Sequence, residues 1–177
     1  TTLIAAFTYL FGTGGTPLFS IARGAEEEER AEKILGNTFT LLLGTSIALF
    51  LFCYLLRRPI LYLFGASDAS YLYADAYLKI YLLGTPFTML ATGLNGFINA
   101  QGFPRIGMLT TLLGAVLNLI LDPVFIFGLN MGVSGAALAT ILSQSVSCLW
   151  VLRFLTGKKA LHRIKKSHLR VIPKLAV

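Results

Sequence analysis

Charged side chains are scarce in this sequence. Only 13% of the 177 residues are Asp, Glu, Lys or Arg, whereas soluble domains carry about 25% of them. The few charges form short clusters between long neutral stretches, and 55% of all residues are hydrophobic. This balance argues against an ordinary soluble domain and indicates an integral membrane protein.

Cysteine and histidine are also rare, with two of each in the chain. Cys53 and Cys148 fall inside apolar runs, so we interpret them as small buried or lipid-facing residues rather than a disulfide or a metal pair. His162 and His168 both lie in the basic C-terminal stretch. The sequence has no GxSxG, P-loop or HExxH motif, and "GTGG" lacks the βαβ context of a dinucleotide fingerprint. We therefore expect neither an enzyme nor a bound cofactor.

The positive charge is concentrated near the C-terminus, in "GKKALHRIKKSHLRVIPK" (157–174), and accounts for much of the net charge of +7. Nucleic-acid binding is the alternative interpretation, but no aromatic platform or groove-reading motif accompanies the charge. We interpret 157–177 as a basic cytoplasmic loop beside the membrane and expect no nucleic-acid partner.

Membrane-crossing helices need about 20 apolar residues each, and five segments are long enough. They are 1–22, 38–56, 77–99, 106–128 and 133–155. The prediction is an all-α, polytopic membrane bundle whose transmembrane part is 1–156. "GTGGTP" (12–17) interrupts the first segment and "LGTP" (83–86) the third, so we expect bends at Pro17 and Pro86. Broken helices are typical of transporters.

Lys and Arg residues are distributed unevenly between the two sides that these spans define. Twelve of the fifteen fall in the segments after the first, third and fifth spans. The positive-inside rule places those segments in the cytoplasm. The run "AEEEERAEK" (25–33) then lies in a cytoplasmic loop, where Glu26/Arg30 and Glu29/Lys33 have the spacing of helical ion pairs. An acidic ligand site is the alternative there.

An aspartate and a proline stand inside the fourth apolar segment, in "NLILDPVFIFG" (118–128). At about 1.5 Å per residue, Asp122 lies roughly 7–8 Å from the middle of that span. A carboxylate at this depth costs a few kcal/mol unless it is paired, neutralised or facing water. Asn118 lies one turn away on the same face, and Pro123 leaves the Leu119 carbonyl without its helical partner. These oxygens suit Na⁺, or Asp122 could carry a proton.

The next segment returns after a short loop, which brings Thr140 to nearly the depth of Asp122. Small residues in "SGAALAT" (134–140) permit close packing of the two helices. We therefore expect Thr140 to face Asp122. The alternative is that Asp122 only caps or hydrogen-bonds a neighbouring helix.

Two stretches carry a resemblance to a known family. "NAQGFPRIGMLTTLLGAVLNLILDPVFIFGLNMGVSGAALATILSQ" (99–144) and "GTPLFSIARGAEEEERAEKILGN" (15–37) resemble the N-lobe of multidrug and toxic compound extrusion (MATE) transporters. The resemblance implies helices two to six of one six-helix lobe in a twelve-helix protein. The first helix, with a further aspartate, and the second lobe are not in the sequence, so we expect a piece that is not active alone.

The family resemblance also implies a function. It implies secondary active antiport of Na⁺ or H⁺ against amphipathic or cationic drugs or metabolites, in the plasma membrane. The implied cation site consists of Asn118, the Asp122 carboxylate, the Ala136 carbonyl and the Thr140 hydroxyl, with Pro17, Pro86 and Pro123 as helix-bending residues. No other metal and no cofactor besides the coupling ion is implied. The partners are the drug, the bilayer and the remaining lobe.

Two other function classes stay open at this stage. A lipid-linked oligosaccharide flippase of the same superfamily would have a more cationic cavity, whereas Lys79 is almost the only cation within the spans. A non-transporting membrane scaffold would not need Asn118, Asp122 and Thr140 to converge. A drug exporter is therefore the favoured interpretation.

Overall fold

The computed structural model describes residues 2–164, and every regular element in that range is helical. His168 and the rest of the basic stretch from residue 165 onward lie outside the described residues. The elements are α1 (Thr2–Gly24), α2 (Glu28–Leu55), α3 (Arg57–Leu63), α4 (Asp68–Leu83), α5 (Thr85–Ala100), α6 (Pro104–Pro123), a π-helical segment (Val124–Gly128) and α7 (Gly132–Thr156). The prediction of an all-α architecture is confirmed.

Four helical stretches are long and apolar enough to cross a bilayer. They are Thr2–Gly24, Glu28–Leu55, Pro104–Gly128 and Gly132–Thr156. They coincide with four of the five predicted spans, although α2 begins well before the predicted residue 38. The part of the chain that the structure describes is therefore a polytopic membrane bundle.

The interrupted span predicted over 77–99 is occupied by two helices, neither of which is among the four that are long enough to cross a bilayer alone. α4 and α5 contain 16 residues each and meet at Gly84. Each is about 24 Å long at 1.5 Å per residue, which is shorter than the roughly 30 Å hydrocarbon core of a bilayer. Only the two helices in tandem are long enough to cross it.

The interruption falls in the segment 83–86, where the sequence predicts a bend. Pro86 has no amide hydrogen to donate to the carbonyl of Leu82, so the regular helical ladder cannot continue there. The amide of Gly84 instead bonds the Tyr81 carbonyl at 3.0 Å, a tighter three-residue turn. A Cβ at Gly84 would lie 2.8 Å from Cγ1 of Ile141. α7 therefore packs directly against the break.

The interruption predicted in "GTGGTP" is absent, because α1 runs through Pro17 without a break. The glycines of this stretch serve close packing instead. A Cβ on Gly12 would lie 2.7 Å from the Cα of Gly93 in α5, so the two backbones nearly touch. The Thr16 hydroxyl also donates to the Gly12 carbonyl at 2.7 Å. Contacts of this kind hold the turn helical although Pro17 donates no hydrogen bond.

The acidic stretch between α1 and α2 forms one of the two predicted ion pairs. Lys33 bonds Glu29 at 2.7 Å, as predicted. Arg30 pairs with Glu27 at 2.8 Å rather than with Glu26. Glu26 lies before the helix in a turn with φ of 61°, so it is not on the same helical face as Arg30. The spacing rule fails there because the helix starts later than expected.

The core lies where α1, α2 and α5 meet. Phe19 and Phe97 pack edge to face with ring centroids 5.3 Å apart, and Leu35, Leu42 and Leu94 are fully buried around them. The opposite surfaces of the long helices expose large apolar side chains such as those of Leu51, Leu119 and Leu149. Apolar side chains that face outward in this way fit a bundle that is surrounded by lipid.

The chain does not leave the bundle at once after α7. Ala160 and His162 are buried, the His162 amide donates to Oε1 of Gln101 at 3.1 Å, and the Ile164 amide bonds the Leu155 carbonyl. His162 also packs edge to face on Phe19. The first part of the predicted loop 157–177 is therefore packed on the end of the core, up to residue 164.

Candidate cation-binding site

The four predicted cation-site residues lie together and form one hydrogen-bonded chain. Nδ2 of Asn118 donates to Oδ1 of Asp122 at 3.3 Å and to Oγ1 of Thr140 at 3.5 Å. The Thr140 hydroxyl in turn donates to the carbonyl of Ala136 at 3.0 Å. The amide of Asn118 thus bridges α6 and α7. Its role in binding a cation remains a prediction, whereas the juxtaposition is a property of the fold.

Helical spacing places these groups in register. Asn118 and Asp122 are four residues apart on α6, and Ala136 and Thr140 are four residues apart on α7, so each pair occupies one face of its helix. The π-helical segment continues α6 to Gly128, and only residues 129–131 separate that segment from α7, so the two helices face each other. Asn130 in that turn has a left-handed φ of 52°.

Glycines allow α6 and α7 to approach closely on both sides of the site. A Cβ on Gly114 would lie 2.7 Å from Oγ of Ser147, and a Cβ on Gly135 would lie 2.9 Å from the carbonyl of Phe125. Distances under about 3 Å leave no room for a larger residue. Ser147 also donates to the Thr110 carbonyl at 3.2 Å across the same contact. The close packing brings the polar groups of the two helices within reach of each other.

Pro123 ends α6, and the chain continues as a π-helical segment rather than bending sharply away. Leu129 donates its amide to the carbonyl of Val124, five residues back, at 2.9 Å. Such π-helical turns are rare and occur often at functional sites. Here the widened turn follows Asp122 directly. It is a local irregularity that sequence spacing alone does not predict.

A cavity of about 300 Å³ opens beside the site between α5, α6 and α7. Asn118 and Thr140 line it from the site itself, and Ser143 and Gln144 continue the polar wall along α7. Two of the four predicted cation-site residues, Asn118 and Thr140, are therefore in contact with this cavity. Asp122 lies one helical turn after Asn118 on α6 and is not among the residues that line the cavity.

Two polar residues of α5 that sequence reasoning missed also line this cavity, Thr92 and Asn95. Nδ2 of Asn95 donates to the Gly107 carbonyl at 3.2 Å, whereas its buried Oδ1 has no partner among the described residues. Both are polar residues in the otherwise apolar run "MLATGLNGFI" (89–98). This interruption of the apolar pattern is the sequence feature that could have identified them. Their nearness to Asn118 depends on how α5 packs, and the sequence spacing did not reveal it.

Asp122 carries no ion pair within residues 2–164, because the four that occur there involve other acids. The hydroxyl of Tyr77 on α4 lies within electrostatic range of Asp122, and Tyr77 is a third residue that sequence reasoning missed. Tyr77 stacks on Tyr81 with centroids 5.6 Å apart. Among the described residues, Asp122 therefore has a neutral hydrogen-bond donor and no ion-pair partner.

Carboxylate, amide, hydroxyl and backbone carbonyl oxygens are the hard donors that bind Na⁺ in proteins. Asn118 now points its Nδ2 at Asp122, so its Oδ1 would have to turn inward to bind a cation. A 180° rotation of the terminal amide is sufficient, since the two ends of an Asn amide are nearly the same size. A proton on Asp122 would require no such rotation. The arrangement therefore suits either ion.

The family model MatE matches residues 1–124, which is more than half of the chain. The chain belongs to the MatE family. It is 34% identical over 158 residues to the Multidrug export protein MepA of Staphylococcus haemolyticus (strain JCSC1435), covering 88% of this chain and 34% of that protein. It is 31% identical over 170 residues to MepA of Staphylococcus saprophyticus, covering 95% of this chain and 37% of that protein.

Solved structures give the same family for this MatE chain. It matches "Inward-facing conformation of a multidrug resistance MATE family transporter of the MOP superfamily" with a TM-score of 0.91 at 25% identity, over 97% of this chain and 39% of that one. The corresponding outward-facing structure gives a TM-score of 0.89 at 26% identity, over 97% and 38%. The predicted resemblance to MATE transporters is confirmed. The chain spans about a third of the length of its curated relatives.

Proposed function

We propose that this MatE chain supplies part of one lobe of a secondary active multidrug exporter, which moves amphipathic or cationic compounds out of the cell against Na⁺ or H⁺. The observation that carries the proposal is the bridge from Asn118 to both Asp122 and Thr140. The names of the relatives, multidrug export proteins, support the substrate class. The protein is a transporter rather than an enzyme, and it uses a coupling ion but no cofactor.

Antiport requires that the ion and the drug favour different states of one element. In the proposed mechanism, an ion enters from outside and binds Asp122 and the neighbouring oxygens on α6 and α7. It pulls the two helices together at this point, and drug leaves the lobe. Loss of the ion to the cytoplasm leaves Asp122 uncompensated and restores the state that accepts drug. The near-equal likeness to inward- and outward-facing relatives supports a lobe that moves as a unit.

The breaks in the helices would supply the flexibility. Pro86 follows the interruption at Gly84, and Pro123 precedes the π-helical segment. Both positions are next to elements that form or contact the site. Pro17 lies in an unbroken helix in this structure, and we propose that it bends α1 in another state of the cycle.

Replacement of Asp122 by Asn tests the function directly in the complete protein that contains this chain. The change keeps the shape and removes the charge, so we expect drug efflux to be lost while expression and insertion stay nearly normal. The measurement is efflux of a fluorescent cation from cells, normalised to protein level, followed by Na⁺ and H⁺ gradients in vesicles. Asp68→Asn is the matched control, because Asp68 is exposed at the start of α4, and it should transport normally.

The outcome separates the function classes. Efflux at the wild-type rate in the Asp122→Asn protein, with unchanged ion dependence, would leave Asp122 a structural residue and contradict the coupling site. Absence of drug efflux in the wild type, together with movement of lipid-linked oligosaccharides, would favour the flippase. Absence of both would favour a scaffold.

The location of the chain is part of the same proposal. We place the protein in the plasma membrane with residues 157–177 in the cytoplasm as a loop to the second lobe, because most Lys and Arg lie on that side. In a protein whose native cysteines are replaced, Ser167→Cys should resist an impermeant thiol reagent in intact cells. Ala69→Cys, at an exposed position on the opposite side, should react. Labelling of residue 167 from outside would invert the topology.

A further inference from the structure

A second cavity, of about 600 Å³, lies where the chain leaves α7. Three cations line it, Arg153 in the last turn of α7 and Lys158 and Lys159 in the segment that follows. The lining contains no acidic residue, and none of these cations forms an ion pair within residues 2–164. The pocket therefore has an uncompensated positive charge.

The remaining lining is apolar or amphipathic and belongs to the ends of two long helices. Trp150 on α7 and Ile106 on α6 complete the wall, and Trp150 is partly exposed. Tryptophan is enriched at membrane–water interfaces, where its ring lies at the level of the headgroups. Close to the pocket along the two helices, Met108 and Leu149 expose most of their side chains. Positive charge and lipid-facing apolar surface thus meet at one helix end.

We propose that this pocket binds the phosphate headgroup of an anionic phospholipid. Basic pockets at the ends of transmembrane helices recognise such headgroups, and Arg offers a planar fork that matches two phosphate oxygens. The acyl chains would extend along the exposed surface of α6 and α7, past Met108 and Leu149. Free inorganic phosphate shares the headgroup chemistry but cannot use this apolar surface. The site is independent of the cation-coupling proposal, because it shares no residue with it.

Trp150 is the single tryptophan of the chain, which makes it a specific reporter of the pocket. The complete protein that contains this chain, with any tryptophan outside residues 1–177 replaced by phenylalanine, is reconstituted in phosphatidylcholine vesicles. These vesicles contain either brominated phosphatidylglycerol or brominated phosphatidylcholine, with the bromine in the acyl chains. Bromine quenches tryptophan fluorescence only at short range. We expect brominated phosphatidylglycerol to occupy the site with an apparent association constant on the order of tenfold higher than brominated phosphatidylcholine.

Substitution of cations in the pocket is compared with substitution of two cations elsewhere in the chain. Lys158→Gln with Lys159→Gln should lower the preference for phosphatidylglycerol, and the further change Arg153→Gln should bring it close to one. Arg30→Gln with Lys33→Gln removes the same charge near α2, outside the pocket, and should leave the preference intact. In the unmodified chain, raising the salt from 0.1 M to 1 M should also remove the preference, because the screening length falls from about 10 Å to about 3 Å.

Several results would overturn the assignment. Equal quenching by the two brominated lipids in the unmodified chain would show that no anionic headgroup is selected. A preference that is unchanged after Arg153, Lys158 and Lys159 are all replaced by Gln would locate the selectivity elsewhere. Relief of the quenching by millimolar inorganic phosphate, with no similar effect of equimolar chloride, would assign the pocket to free phosphate rather than to lipid.

Discussion

Asp75 and Asp122 are two carboxylates on the helices of one apolar bundle, and their surroundings differ. Asp75 is buried, and it bonds Arg57 at 3.0 Å through one oxygen and Lys79 at 2.6 Å through the other. Asp122 is half-buried and has the amide of Asn118 as its hydrogen-bond donor, with no cation beside it in the described chain. The charge of Asp75 is therefore compensated by two cations, whereas Asp122 has a neutral hydrogen-bond donor.

This difference separates a structural carboxylate from one that is available to a ligand. Arg57 ties α3 to Asp75 on α4, Lys79 pairs with Asp75 within α4, and Arg57 also stacks over the ring of Tyr54, 4.9 Å from its centroid. A mobile cation has no reason to bind there, because the charge is already balanced. Asp122 has a neutral donor and no cation beside it in the described chain, and an intramembrane carboxylate of this kind is expected to serve a function.

Of the changes that test this comparison, placing a permanent cation beside Asp122 should have the largest effect on transport. Asn118→Lys places an ammonium four residues before Asp122, the same spacing as between Asp75 and Lys79. The internal pair would compensate the carboxylate and exclude the coupling ion, so we expect efflux by the complete protein to be lost at every pH tested. Fluorescent-cation efflux and membrane protein level are measured together. Retained, ion-dependent transport would show that the charge of Asp122 is not what the ion needs.

The same Asp→Asn change should act differently on stability at the two positions. Asp75→Asn leaves Arg57 and Lys79 without a counter-ion and should lower the free energy of unfolding by about 1–2 kcal/mol, since both cations are partly exposed. Asp122→Asn should change it by less than about 0.5 kcal/mol. Unfolding of the purified protein in detergent measures both.

A triple change sharpens that test. Replacing Asp75 by Leu together with Arg57→Met and Lys79→Met removes all three charges and should recover much of the lost stability, because apolar side chains often replace an ion cluster without loss. Failure of the triple variant to exceed Asp75→Asn in stability would mean that the cluster does more than balance its own charge.

Thr140→Ala should have the smallest of these effects. It removes the neutral oxygen that accepts from Asn118 and the hydrogen bond to Ala136, a loss of about 0.5–1.5 kcal/mol. We expect the concentration of coupling ion that gives half-maximal efflux to rise by about threefold to tenfold. Thr140→Ser keeps the hydroxyl and should stay near the wild-type value. An equal loss in both variants would point to packing rather than to the hydroxyl.

Much of this protein could be predicted from the sequence because the deciding signals are local. Low charge and long apolar runs indicate membrane helices, and four of the five predicted spans are single long helices, whereas 77–99 is covered by α4 and α5 in tandem. The cation-site residues come together because each pair is four residues apart on one helix and the connecting loop is short. Helical periodicity and chain connectivity are sufficient for that much, and no knowledge of distant packing is needed.

Tertiary packing decided what such local rules leave open. Pro17 and Pro86 carry the same local signal, yet close contact between Gly12 and Gly93 keeps α1 helical while the helix breaks at Gly84. Thr92 and Asn95 reach the cavity beside Asn118 only because α5 packs against α6 and α7. The physical reason is the sequence separation of the interacting residues. Hydrogen-bond spacing and hydropathy involve residues close together in the chain, whereas the approach of two backbones and the lining of a cavity involve residues far apart in it.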